Sequence, residues 1–151
     1  MKKDNLKDIM EHTLEKSKEL LLRDGYVAPV GFICYGDNMD IIPLTFKNQE
    51  DKEIQISALG KMVRMRKADA VFIVIESWYV TSDKKDLSII PSKHPTRKEC
   101  IFIVGECEEG DVTIMQKFER DEKDEFIFGK KEDIDIGFSR FKFGIKKIKD
   151  K

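Results

Sequence analysis

Five residues in this chain have types and spacing that could do chemistry together: Glu76, Trp78, His94, Arg97 and Glu99. Glu76 and Trp78 stand two apart near the end of the apolar run AVFIVIESWYV, and Arg97 and Glu99 stand two apart where the next run, ECIFIVGEC, begins. Two carboxylates held close raise the pKa of one of them and give a general acid–base pair. The Arg97 guanidinium could clamp a substrate carboxylate or phosphate in a bidentate fork. His94, between Pro91 and Pro95, could move a proton near neutral pH. Trp78 could wall a planar ligand. The catalytic candidates are therefore Glu76, His94, Arg97 and Glu99. The binding candidates are Trp78, Arg97 and His94.

Bringing them together depends on register. Alternate residues of a strand share a face, so Phe72, Val74, Glu76, Trp78 and Val80 lie together, as do Arg97, Glu99, Ile101 and Ile103. If Val80 pairs near Arg97, Trp78 sits opposite Glu99 and Glu76 lies diagonally from Glu99. A slip of one residue scatters the cluster. A structural reading uses the same atoms. Arg97 neutralises the two glutamates across a hairpin under Trp78, a cross-strand arrangement worth roughly 0.2–1 kcal/mol per pair. His94 then only hydrogen-bonds within its own loop. On chemistry alone the structural reading carries more weight, because no Ser-His-Asp order, nucleophile elbow, phosphate loop, HExxH or EF-hand loop accompanies the cluster.

The elements that must position these residues follow from periodicity. Asp4 to Arg23 reads as an amphipathic helix with Leu6, Ile9, Met10, Thr13, Leu14, Leu20 and Leu21 in its stripe, Asp4 or Asn5 as cap and Gly25 as stop. His12 falls beside that stripe among charged residues and reads as a surface or boundary histidine. Tyr26 to Tyr35 and Met39 to Phe46 form a hairpin around Gly36-Asp37-Asn38, with Pro29 and Pro43 marking edge or irregular positions. Gln49 to Lys67 reads as a second helix with Ile54, Ala58, Leu59, Met62, Val63 and Met65 inward. Its acids lead and its bases trail, as the helix dipole favours. Ala70 to Val80 is apolar on both faces, which marks an inner strand. Glu99 to Cys107 is similar, and the connection from Thr81 to Thr96 exceeds a tight turn. Further strands follow around Val112–Phe118 and Phe126–Phe128, separated by the charged turn Glu119–Glu125. Shorter alternations at Ile134–Phe138 and Phe141–Ile145 slip in phase near Gly137–Ser139. The expected fold is an α+β domain spanning 1–151, in the order α-β-β-α-β-β-β-β. Its mainly antiparallel sheet has about five to six strands, with both helices packed on one face.

Composition narrows the function classes. Lys and Arg total 28 against 29 Asp and Glu, so no overall field draws the chain to nucleic acid or an anionic membrane. Cys34, Cys100 and Cys107 lack metal spacing, and only His12 and His94 are available beside them. Buried thiols in a reducing compartment are expected, with no metal and no cofactor. No run approaches membrane-spanning length and the N-terminus has no apolar signal core, which places the chain in the cytoplasm.

The run Ala68-Asp69-Ala70-Val71, then Glu76 and Trp78, followed by Pro91, Ser92, Pro95, Arg97 and Glu99, resembles a pattern of small microbial and phage proteins. That resemblance implies no activity; it marks these residues as a unit. The element order is separately similar to the roadblock and longin folds, which are interaction modules. The tail Ser139–Lys151 carries six basic residues and one acid, with Phe141 and Phe143 interleaved, a pattern that could suit single-stranded nucleic acid. Residues 106–135 hold twelve acids and five bases, so an acidic hairpin near a basic tail accounts for both without nucleic acid. Three functions follow. The preferred one is a binding or interaction module that self-associates, as a homodimer, through its sheet edge or C-terminal segment, or takes an unidentified small ligand or protein. The alternatives are a small enzyme, of hydrolase type, on the Glu/His/Arg cluster, and nucleic-acid binding by the basic segment.

Overall fold

A computed structural model describes residues 1–79, 98–123, 125–133 and 143–145. The elements are α1 (Lys3–Asp24), β1 (Val30–Tyr35), β2 (Asn38–Pro43), α2 (Gln49–Arg66), β3 (Ala70–Tyr79), β4 (Lys98–Cys107), β5 (Gly110–Arg120) and β6 (Phe126–Asp133). The six strands make one antiparallel sheet in the order β2-β1-β3-β4-β5-β6. The fold class and the expected element order hold.

The expected packing of both helices on one face does not hold. On one side of the sheet Leu6, Met10, Leu14 and Leu21 of α1 pack with Phe72, Val74, Ile101, Ile103, Ile114 and Phe118. On the other side Leu59 and Val63 of α2 pack with Ile33, Val71, Ile73 and Val104. The cause is visible in β3, whose residues are apolar at odd and even positions alike. Such a strand needs cover on both faces, and a single helical layer would leave one row of Val and Ile in water. One helix per face satisfies both rows.

Helix α1 buries Leu6, Met10, Leu14, Ser17 and Leu21, a stripe at helical spacing. It ends where Gly25 takes φ +83 and returns its N–H to the Leu21 carbonyl. Its start differs from the expected cap at Asp4 or Asn5. Lys2 is the capping position and offers no side-chain cap, and the free N–H of Lys3 donates instead to Glu109 Oε1 at 2.6 Å. An acid in the β4–β5 turn therefore does work that a local residue would otherwise do. Helix α2 is capped locally, with Asn48 accepting from the Asp51 N–H at 2.7 Å. Of its expected inward residues, Leu59 and Val63 are buried, whereas Ile54 (61% exposed) and Met65 (82% exposed) face outward along with Ala58. The inward stripe runs instead through Ile56, Leu59, Gly60 and Val63.

Strand β1 begins just after Pro29, β2 ends at Pro43, and β2 is an edge of the sheet, as the prolines imply. Gly36 turns the hairpin at φ +55, and its N–H donates to Asp69 Oδ2 at 2.7 Å. The Asp69 N–H in turn donates to the Cys34 carbonyl at 2.7 Å. Asp69 thus ties the hairpin turn to the start of β3.

Candidate carboxylate site at the end of the first helix

The register of β3 with β4 pairs Trp78 with Glu99 and Glu76 with Ile101. This is the register that the expected cluster requires: Glu76 lies diagonally from Glu99, on the face covered by α1. Val80, His94 and Arg97 lie outside the described residues, as does the Trp78 side chain. The structure therefore brings together Glu76 and Glu99, with the strand position of Trp78 opposite the latter.

The described cation at this site is one that sequence reasoning placed elsewhere. Arg120, expected in an exposed charged turn, is the last residue of β5. Its Nε donates to Glu99 Oε2 at 3.2 Å, and its Nη2 donates to the carbonyl of Gly25 at 3.3 Å. Its guanidinium carbon sits 4.7 Å from the centroid of the Phe126 ring. One arginine thus joins β4, the C-terminus of α1 and β6. A cation there also complements the negative end of the helix dipole. A signal for it exists in the sequence. Arg120 stands two residues beyond Phe118, so it shares a face with a core aromatic and reaches the strand that carries Glu99.

Glu76 is less well served. Its Oε1 is buried and has no hydrogen-bond partner among the described residues. Burial pushes its pKa up, the neighbouring Glu99 carboxylate adds to the rise, and Arg120 and the Val27 backbone N–H pull the other way. Among the described residues two carboxylates therefore share one cation, and that cation binds Glu99 directly. The arrangement favours a proton on Glu76, and it leaves an acceptor open to a donor. In chemical terms this is a carboxyl that can hold or give up a proton beside a fixed positive charge.

The cysteines offer no competing nucleophile. Burial pushes the Cys34 thiol up to about 11 and the Cys100 thiol up to about 12, and all three thiols are buried. Among the described residues no group of three or more His, Cys, Asp or Glu side chains is placed to hold a metal ion. His12, on α1, is exposed, in keeping with its reading as a surface residue. No helix of the described residues is long and apolar enough to cross a membrane.

The expected resemblance to phage proteins has a counterpart at the level of a whole family, though not of the particular residue pattern around β3. The family model for bacteriophage lambda protein ea47 matches residues 1–143. The chain belongs to that family. No curated protein and no solved structure matches it. The Ea47 match spans α1 through β6 and reaches Phe143, so Glu76, Glu99 and Arg120 all fall within it. The family name carries no activity, and the chemistry of the site rests on its geometry.

Proposed function

We propose that this Ea47-family chain is an interaction module that pairs with a second copy through the β2 edge of its sheet. The observation that carries this reading is the composition of that edge. Met39 (45% exposed) and Ile41 (61% exposed) stand on one face of β2, on the side where α1 packs over β4 and β5. Natural edge strands discourage pairing with charges. β6, at the other edge, carries Lys130, Lys131, Glu132 and Asp133. β2 carries one charge, Asp40, and that carboxylate already accepts from Tyr35 Oη at 2.8 Å and Arg66 Nε at 3.2 Å. Antiparallel pairing of β2 with its twofold mate would continue the sheet and cover Met39 and Ile41. Of the other expected route, the C-terminal segment, the described residues Phe143 and Ile145 are buried within their own chain. Light scattering across a wide concentration range tests the reading. The expected result is a dimer for the native chain and a monomer for Ile41→Lys. A native chain that stays monomeric at every concentration removes it.

A second reading is favoured by the buried oxygen of Glu76, which has no hydrogen-bond partner among the described residues. In that reading the chain is a small enzyme, of hydrolase type, with Glu76 as general acid and Arg120 stabilising negative charge that develops beside it. Its first test is the titration of the Glu76 carboxyl followed by carbon-13 NMR. A pKa within the ordinary carboxylate range removes this reading, because such a group is fully ionised near neutrality and has no proton to give.

A further inference from the structure

Glu106 is the most buried carboxylate described, at 8% exposure, and it lies on β4 on the face covered by α2. A buried charge is costly unless hydrogen bonds or a counter-charge compensate it. Its compensation comes from the chain's C-terminal part. Oε2 accepts the Phe143 N–H at 2.6 Å, and Oε1 accepts the Ile145 N–H at 2.9 Å. Gly144, between them, has φ +70. Two N–H groups flanking a left-handed residue converge on one anion, which is the geometry of a backbone nest. The side chains of Phe143 and Ile145 then drop into the core beside Leu59, Val63 and Val104. Phe143 lies over Gly60 of α2, where an added Cβ would meet its ring at 3.7 Å. A mid-helix glycine is unfavourable for the helix, and here it leaves a shallow notch above which the ring sits.

We propose that α2 and β4 form a docking site for an apolar–glycine–apolar turn, and that residues 143–145 occupy it as a releasable strap. The receptor supplies the acid and the apolar floor; the strap supplies two backbone donors and two side chains. The division is clean because β4 is an inner strand, paired on both sides by β3 and β5, and α2 packs on β1. Neither element depends on the strap for its own backbone hydrogen bonds. A segment of the same chemistry can therefore compete for the site. The natural probe is a labelled peptide with the sequence of residues 139–148, SRFKFGIKKI.

Two substitutions in the full-length chain separate strap from receptor. Gly144→Ala strains the left-handed residue and nothing else, since a Cβ there meets no atom within 4 Å. Glu106→Gln damages the receptor, because an amide presents a single acceptor oxygen to two donors. Trypsin should cut beside the strap, at Lys142 and Lys146, about tenfold faster in either variant, while circular dichroism keeps the sheet and helices. Gly144→Ala should then bind the peptide, and the double variant should lose that binding by about tenfold or more. A native chain should bind it weakly, since its own strap competes at high effective concentration. Unchanged trypsin cutting in both variants overturns the proposal. So does a Gly144→Ala chain with a released strap that takes up no peptide. Global unfolding of both variants also overturns it, because the strap would then be part of the fold itself.

Discussion

At the scale of single residues, Glu76 decides most. A carboxyl whose pKa is raised by folding binds its proton more tightly in the folded chain than in the unfolded one. Its contribution to stability is therefore full below the unfolded value, near 4.5, and is lost as pH rises through the folded value. Glu76→Gln removes that loss. The expected outcome is a melting temperature higher by about one to two degrees at pH 7 and little changed at pH 4, read by calorimetry at both pH values. The small size reflects the partial exposure of the group and the compensating Arg120. Arg120→Ala acts in the opposite direction. It strips Glu99 of its described donor and removes the described cation beside the two carboxylates. A loss of about 1 kcal/mol in urea unfolding is expected at pH 7, since the pair is partly exposed.

The element scale concerns how helices meet the sheet. Gly105 of β4 lies directly under α1. A Cβ there would come within 2.8 Å of Met10 Sδ and 3.1 Å of Phe72 Cβ. The methionine end can swing aside, but the Phe72 Cβ is fixed to its strand, so Gly105→Val must push α1 outward. A destabilisation of about 1–3 kcal/mol is expected in urea unfolding. α2 depends on a different device, its local cap. Asn48→Ala should cost about 1 kcal/mol in the same measurement. The signal for that cap, asparagine three residues before an acid, was local, although the reading of the helix from its apolar stripe and charges did not use it. The cap of α1 was not, because Glu109 reaches Lys3 from more than a hundred residues away.

Across the whole molecule, opposite charges line the contact between the N-terminal part of the chain and the β4–β6 side of the sheet. Lys7 meets Asp133 at 2.6 Å, Glu11 meets Lys131 at 2.8 Å, and the N-terminal amine meets Glu108 at 3.2 Å. Glu109 and Asp133 thus find partners on α1 and Glu108 one at the N-terminus just before it, whereas Glu132 pairs with Lys117 of β5. These pairs are exposed or half-exposed, so each is worth little in salt water. Raising sodium chloride from low concentration to about 1 M should change the unfolding free energy by no more than about 1 kcal/mol. A larger drop would mean that the ion pairs, rather than the apolar core beneath it, hold the helix in place.

The sequence by itself determined whatever a backbone period controls. Apolar runs on both faces marked β3 and β4 as inner strands, and alternation set Glu76 and Trp78 on one face; the register opposite Glu99 was left to the structure, because strands apolar on both faces do not themselves forbid a slip. The stripe of α1 was legible for the same reason. Only the tertiary structure decided which residues meet across elements. It put α1 and α2 on opposite faces of the sheet, chose Arg120 as the described cation of the carboxylate site, and gave Glu106 to the backbone of residues 143 and 145. A period of two or 3.6 residues says which side chains share a face. It does not say which of two apolar faces each helix covers, or which distant group will satisfy a buried acid. Those choices follow from strand order and from the requirement that buried polar groups find partners, and both are properties of the assembled chain.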